Sequence, residues 1–200
     1  MKRKNLFRLT FSAIFISLAI VLEIVCKSLP FLKMPNGGGI AITMLPLAFI
    51  SIICGLGYGV ASGIVFGLID CFLIDGYGFS PYSFIFDYIL AYSLLSIISL
   101  FRNKIIEGKK SYFIIGFLLG GFLRWLSCGL SGVLNAKLWG YDEVFLEGVF
   151  GVGHASKIWL YLYSFVYYNL PVIGLSTIIS IIIGLVVAKR IVKMIDPMNL

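Results

Sequence analysis

Ile173-Gly-Leu-Ser-Thr-Ile-Ile-Ser-Ile-Ile-Ile-Gly-Leu-Val-Val-Ala188 runs without a single charge. Crossing the hydrocarbon core of a bilayer takes roughly 20 predominantly apolar residues. The surrounding segment, Tyr163 to Val187, has that length. A second run, Phe113-Ile-Ile-Gly-Phe-Leu-Leu-Gly-Gly-Phe122, reads the same way. A membrane β-barrel would alternate polar and apolar residues in segments of about ten. These runs are continuous, and helices are the spanning elements that satisfy every backbone group internally.

The rest of the chain agrees. Of the 200 residues, 60% are hydrophobic and 12% charged, and the mean hydropathy is +1.03. Soluble domains carry about a quarter charged residues. The expectation is an all-α integral membrane protein, a compact bundle of six transmembrane helices forming one domain over residues 1–200. The spans are placed at Leu9–Val25, Ile40–Cys54, Gly57–Leu73, Ser83–Phe101, Tyr112–Leu130 and Tyr163–Val187. The first follows Met1-Lys-Arg-Lys but lacks a small-residue cleavage site, so it is read as a retained helix and not a signal peptide.

Cations set the orientation. They cluster at Lys2, Arg3, Lys4 and Arg8, at Arg102, Lys104, Lys109 and Lys110, and at Lys189, Arg190 and Lys193. With six spans all three clusters fall on one side, which the positive-inside rule makes the cytoplasm, together with both termini. The net charge of +7 is then topological and does not imply a nucleic-acid partner. The opposite side holds Pro30–Gly39, Ile74–Tyr82 and the long Ser131–Leu162 stretch with Asp142, Glu143, Glu147 and His154. Aromatic and Gly-rich loops there have room for a site.

Ionisable side chains inside spans are costly and face a cavity or a partner. Four stand out: Glu23, Asp70, Asp87 and Arg124. Lys27 lies one turn from Glu23, so an i,i+4 ion pair accounts for that acid. Asp70 suits either a helix–helix hydrogen bond or a ligand. Asp87, within Phe84-Ile-Phe-Asp-Tyr-Ile-Leu-Ala-Tyr92, is a carboxylate among aromatics, the composition of a pocket for an organic cation or a hydrogen-bonding heteroaromatic ring. The competing reading is a structural ion pair between Asp87 and Arg124.

Catalytic patterns are sparse. His154 is the single histidine, no zinc-protease or nucleophile-elbow motif occurs, and Cys26, Cys54, Cys71 and Cys128 have no metal-ligand spacing. No cofactor is expected. Nor is there a P-loop, so uptake would draw its energy from a partner or an ion gradient. Ala13-x-x-x-Ser17 offers a small-residue face on the first helix, suited to close helix packing.

Met34-Pro-Asn-Gly-Gly-Gly-Ile-Ala-Ile-Thr-Met-Leu-Pro46, Gly55-Leu-Gly-Tyr-Gly-Val-Ala-Ser-Gly-Ile-Val-Phe-Gly-Leu-Ile69, Phe86-Asp-Tyr-Ile-Leu-Ala-Tyr92, Leu123-Arg-Trp-Leu-Ser-Cys-Gly-Leu-Ser-Gly-Val-Leu134 and Tyr163-Ser-Phe-Val-Tyr-Tyr-Asn-Leu-Pro171 follow one another along the chain. In order and spacing they resemble the thiamine-specific S components of energy-coupling factor (ECF) transporters. The resemblance implies a vitamin-capture subunit of the bacterial cytoplasmic membrane. It would work with an ECF transmembrane coupling protein and two ATPase subunits.

By the same resemblance Asp87 is the ligand-binding acid, with Tyr77 and Tyr88 nearby, Phe66 at an aromatic position, and Tyr163 and Asn169 at the start of the sixth helix. Asn169 needs one extra residue in register, so Tyr168 or Ser164 are alternatives there. Ala13 and Ser17 resemble the face that docks on the coupling protein. The chain departs from the pattern at Cys128, where the family has histidine, and at Ala136, where it has a stacking aromatic that Trp139 can replace. Two other functions remain open at this level: an S component for a different vitamin or heterocyclic precursor, and a small membrane enzyme in which Asp70, Asp87 and His154 converge.

Overall fold

The structure, a computed structural model, describes residues 2–32, 38–75 and 80–193. Tyr77 and Lys33 to Gly37 of the Pro30–Gly39 loop lie outside the described residues.

Helix α1, Lys2–Ser28, has no glycine or proline to interrupt it. At 1.5 Å per residue it is about 40 Å long, and it stops just before Pro30, which disfavours helical geometry in the residue preceding it. Helix α2 covers Met44–Cys54. The expected second span began at Ile40. The helix is instead 11 residues long, about 16 Å, short of the roughly 30 Å hydrocarbon core, and every residue in it is buried. Its mean hydropathy reflects a protein interior as much as a lipid contact. The non-helical approach to it is also enclosed: Ala41 is buried, and its N–H donates to Ser176 Oγ at 3.1 Å. Irregular backbone at membrane depth is tolerated where protein covers it.

Gly55, at φ +95°, turns the chain directly into α3, Leu56–Ile74. Helix α4, Pro81–Ile106, starts with Pro81 in its first turn and with Ser80 Oγ accepting from Ser83 N–H at 2.9 Å. Helix α5 is Lys110–Leu134, and the final long helix begins at Lys157, six residues before the expected Tyr163. Between them a short helix α6, Glu143–Phe150, is capped by Asp142, whose Oδ1 accepts from Phe145 N–H at 2.9 Å. The last helix, α7, is Lys157–Ala188. Among the described residues five helices are long and apolar enough to span a membrane, with α2 as a shorter sixth.

The core is centred on α2, with Met44, Ile50, Ile52 and Ile53 against Phe66, Tyr92, Ile98 and Phe117. Small residues bring the long helices together. A Cβ on Gly63 would stand 2.7 Å from Ser93 Cα, and one on Gly67 2.5 Å from the Tyr88 carbonyl oxygen, so α3 and α4 touch backbone to backbone.

Side-chain links sort the helix ends. Arg102, late in α4, donates through Nε to Ile52 O at 2.8 Å and through Nη2 to Ile53 O at 3.1 Å. Cys54 Sγ lies 3.7 Å from Arg8 O. Late in α7, Gly184 packs against Phe113 at the start of α5. The beginnings of α1 and α5 and the ends of α4 and α7 thus share one end of the bundle. The other end is covered by α6 and its flanking loops, where Tyr141, Leu146, Ala155 and Tyr163 form a separate apolar cluster with Trp139 and Tyr168.

Candidate functional site

Three helices abandon regular α geometry at that covered end. Widened π turns occupy Asp70–Asp75 at the end of α3, Phe84–Leu90 of α4 and Leu162–Asn169 of α7. In α7 a cause is visible in the sequence: Pro171 has no N–H for the carbonyl one turn back, and its ring crowds that carbonyl. Such insertions rotate side chains out of helical register and occur frequently at functional sites.

All three open onto one cavity of about 110 Å³. That is several times the roughly 10–15 Å³ that admits one water. Helix α1 contributes Glu23 and Lys27, α3 contributes Asp70, and α4 contributes Ser83, Asp87, Tyr88 and Tyr92. Arg124, Cys128 and Gly132 come from α5, and Tyr163, Ser164, Tyr168 and Asn169 from the widened start of α7. Gly38, Gly39, Trp139 and Tyr141 close it from the loops.

The cavity has two polar regions. At the first, Asp87 Oδ2 accepts from Ser83 Oγ and Ser131 Oγ, each at 2.5 Å. Ser131 is held in turn by Asn135, whose Nδ2 donates to its carbonyl at 2.9 Å, and Asn135 Oδ1 accepts from Ser80. Both hydroxyls converge on one carboxylate oxygen.

At the second, Lys27 Nζ pairs with Glu23 Oε1 at 3.0 Å and with Asp70 Oδ1 at 2.8 Å. Tyr92 Oη donates to Asp70 Oδ2 at 2.7 Å, and the Arg124 guanidinium lies 4.4 Å from the centre of the Tyr92 ring. The expected Glu23–Lys27 pair is present and is extended to α3. No ion pair joins Asp87 to Arg124, whose cation rests on an aromatic face instead.

Of the residues named from sequence, Asp87, Tyr88, Cys128, Trp139, Tyr163 and Asn169 line the cavity. Phe66 does not: it is fully buried behind Tyr92, ring centroids 4.6 Å apart in a T-shaped contact, because the α3 face it occupies packs into the core. Ala136 is buried among the cap aromatics, and Trp139 takes the cavity position. Both alternatives to Asn169, Ser164 and Tyr168, line the cavity with it. Ala13 and Ser17 lie exposed on α1, where Ser17 Oγ donates to Ala13 O at 3.0 Å. His154 is 94% exposed, 3.7 Å from Glu147, and does not join Asp70 and Asp87.

The sequence reading did not single out Ser83, Ser131, Asn135, Tyr92 and Tyr141. A signal existed for part of this set. Arg124, Cys128 and Ser131 of α5 and Asn135 just after it fall at i, i+4, i+7 and i+11, one polar stripe.

Comparison with known proteins identifies the family. The family described as Thiamine transporter protein (Thia_YuaJ) matches residues 9–196. The thiamine transporter ThiT of Bacillus subtilis (strain 168) is 29% identical over 139 residues, 66% of this chain and 71% of that protein. The solved structure of ThiT from Listeria monocytogenes shares the fold, with a TM-score of 0.71 at 21% identity over 94% of this chain and 96% of that one. The match extends over nearly all of the chain, and with it the chain belongs to the thiamine transporter family, as a multi-pass protein of the cell membrane that transports and does not catalyse.

Proposed function

We propose that the chain is the substrate-capture subunit of an ECF-type importer, binding thiamine from outside and passing it inward with a transmembrane coupling protein and two ATPase subunits. The observation that carries the ligand reading is Asp87, oriented by Ser83 and Ser131 in a cavity walled by Tyr88, Trp139 and Tyr163. A carboxylate fixed by two hydroxyls matches the needs of thiamine, which carries a cationic ring and an amino-bearing ring, and aromatic faces favour such a cation. Pre-set hydroxyls spare the ordering cost that a mobile carboxylate would incur on binding.

Direction and partners follow from different features. The bundle end that carries the basic clusters is read as cytoplasmic, with both termini there, so the aromatic cap faces outside. The cavity lies under that cap. The sequence has no nucleotide-binding loop, so the energy comes from elsewhere. Ala13 and Ser17 provide a small, exposed surface of α1 against which a coupling helix can pack closely.

Calorimetric titration of the purified protein with thiamine tests the ligand. Saturable binding in the wild type and its weakening in Asp87→Asn support the reading; no heat with thiamine and a response to another vitamin defeats it. Cys128 is the observation that gives that second outcome standing, since a thiol occupies the cavity wall where the family pattern has an imidazole. Import is tested separately, by uptake of labelled thiamine into cells expressing the chain with and without a coupling protein and ATPases.

A further inference from the structure

The polar region away from Asp87 contains two unmet hydrogen-bonding groups. Glu23 is 3% exposed; its Oε1 is taken by Lys27, whereas its Oε2 is buried with no hydrogen-bond partner among the described residues. Arg124 Nε is likewise buried and has no partner among the described residues. Both residues line the cavity. A buried acceptor and a buried donor left open at a cavity wall destabilise the fold, and they persist where something else completes them.

The surroundings define what that is. Tyr92 covers the face of the Arg124 guanidinium. Its N–H groups lie in the guanidinium plane and are directed at acceptors beyond the ring. Glu23 and Asp70 carry two negative charges, Lys27 and Arg124 two positive ones, so the region is neutral as a whole. It suits a neutral group that both donates and accepts, and it disfavours a phosphate, which would face two carboxylates. From Arg124 to Ser131, the residue that anchors Asp87, is seven residues of α5, about 10 Å along its axis. That separation is one that two linked rings bridge and a single small ring does not.

We propose that Glu23 and Arg124 form a second polar subsite, which receives the neutral donor-and-acceptor terminus of the ligand lying farthest from Asp87. The assignment rests on the reading of the cavity as the thiamine site. Thiamine has such a group at each end: the hydroxyethyl hydroxyl and the amino-pyrimidine edge. The subsite engages one of them.

The test is titration calorimetry of wild type, Glu23→Met and Arg124→Lys with three ligands: thiamine, the analogue with ethyl in place of hydroxyethyl, and the analogue lacking the pyrimidine amino group. In the wild type each analogue should bind about tenfold more weakly, the effect of one hydrogen bond to a charged group. In both variants the loss for one analogue, the same one in each, should vanish while the other remains. Both losses persisting in a folded variant, or both vanishing, overturns the subsite. Arg124→Lys keeps the charge, so it decides the matter if Glu23→Met fails to fold. A wild type that binds no thiamine removes the reading of the cavity and this subsite with it, whereas thiamine binding with unchanged analogue losses removes the subsite alone.

Discussion

Ser131, from the last turns of α5, donates its hydroxyl to Asp87 Oδ2 on α4 at 2.5 Å. A residue that reads as small and polar in an apolar helix thereby sets the direction of a cavity carboxylate.

Replacing Asp87 with Asn keeps the shape and removes the charge. Hydrogen bonds to a charged group are worth about 1.5–3 kcal/mol, so thiamine affinity should fall about 10- to 100-fold. Titration calorimetry measures this directly; an unchanged affinity would remove Asp87 from the site.

Ser131→Ala should act through Asp87. The carboxylate loses one of two orienting donors and gains rotational freedom, so binding should weaken about tenfold, with the folded protein otherwise intact. If Ser131→Ala in the Asp87→Asn background weakens binding by the same factor again, the two residues are independent and the orienting role is wrong.

Lys27 neutralises two carboxylates at once, with Glu23 and Asp70 side chains 4% and 2% exposed. Lys27→Met removes the shared cation from both buried carboxylates. Removing one partner of a buried pair costs about 3–5 kcal/mol, so the melting temperature in detergent should drop sharply. A triple change that also converts Glu23 and Asp70 to Gln should recover part of the loss. Failure of both effects would mean that water screens the network.

Gly63→Ala should also lower the melting temperature, because the added methyl meets Ser93 backbone at 2.7 Å and the two helices must part. Gly57→Ala, in the same helix with nothing within 4 Å of the new methyl, serves as the control and should be neutral or slightly stabilising. Equal melting temperatures for the two would contradict the backbone contact between α3 and α4.

Bulk on the exposed α1 face separates docking from capture. Ala13→Leu with Ser17→Leu should reduce thiamine uptake in cells carrying the coupling protein and ATPases, while thiamine affinity of the isolated chain stays the same. Normal uptake by the double variant would place the partner elsewhere on the surface.

What was legible in the sequence follows from the solvent. A bilayer demands long apolar helices, so the runs around Phe113 and Ile173 declare themselves, and an acid such as Asp87 inside a span stands out because the membrane penalises it. Six of the eight ligand residues named from sequence do line the cavity. Phe66 misled because an aromatic in a span has the same composition whether it faces a ligand or the core. Tyr77 lies outside the described residues.

The sequence by itself determined the class of solvent, the order of the helices and where the cations cluster. All of these depend on local composition, which apolar surroundings filter one segment at a time. Only the tertiary structure decided that α2 is an interior helix, that Lys27 reaches Asp70 on another helix, that Trp139 and not Ala136 faces the cavity, and that Arg124 lies on Tyr92 instead of pairing with Asp87. Those outcomes depend on how widened turns rotate side chains and on which helices touch. Contacts between residues dozens of positions apart leave no periodic trace in a single chain.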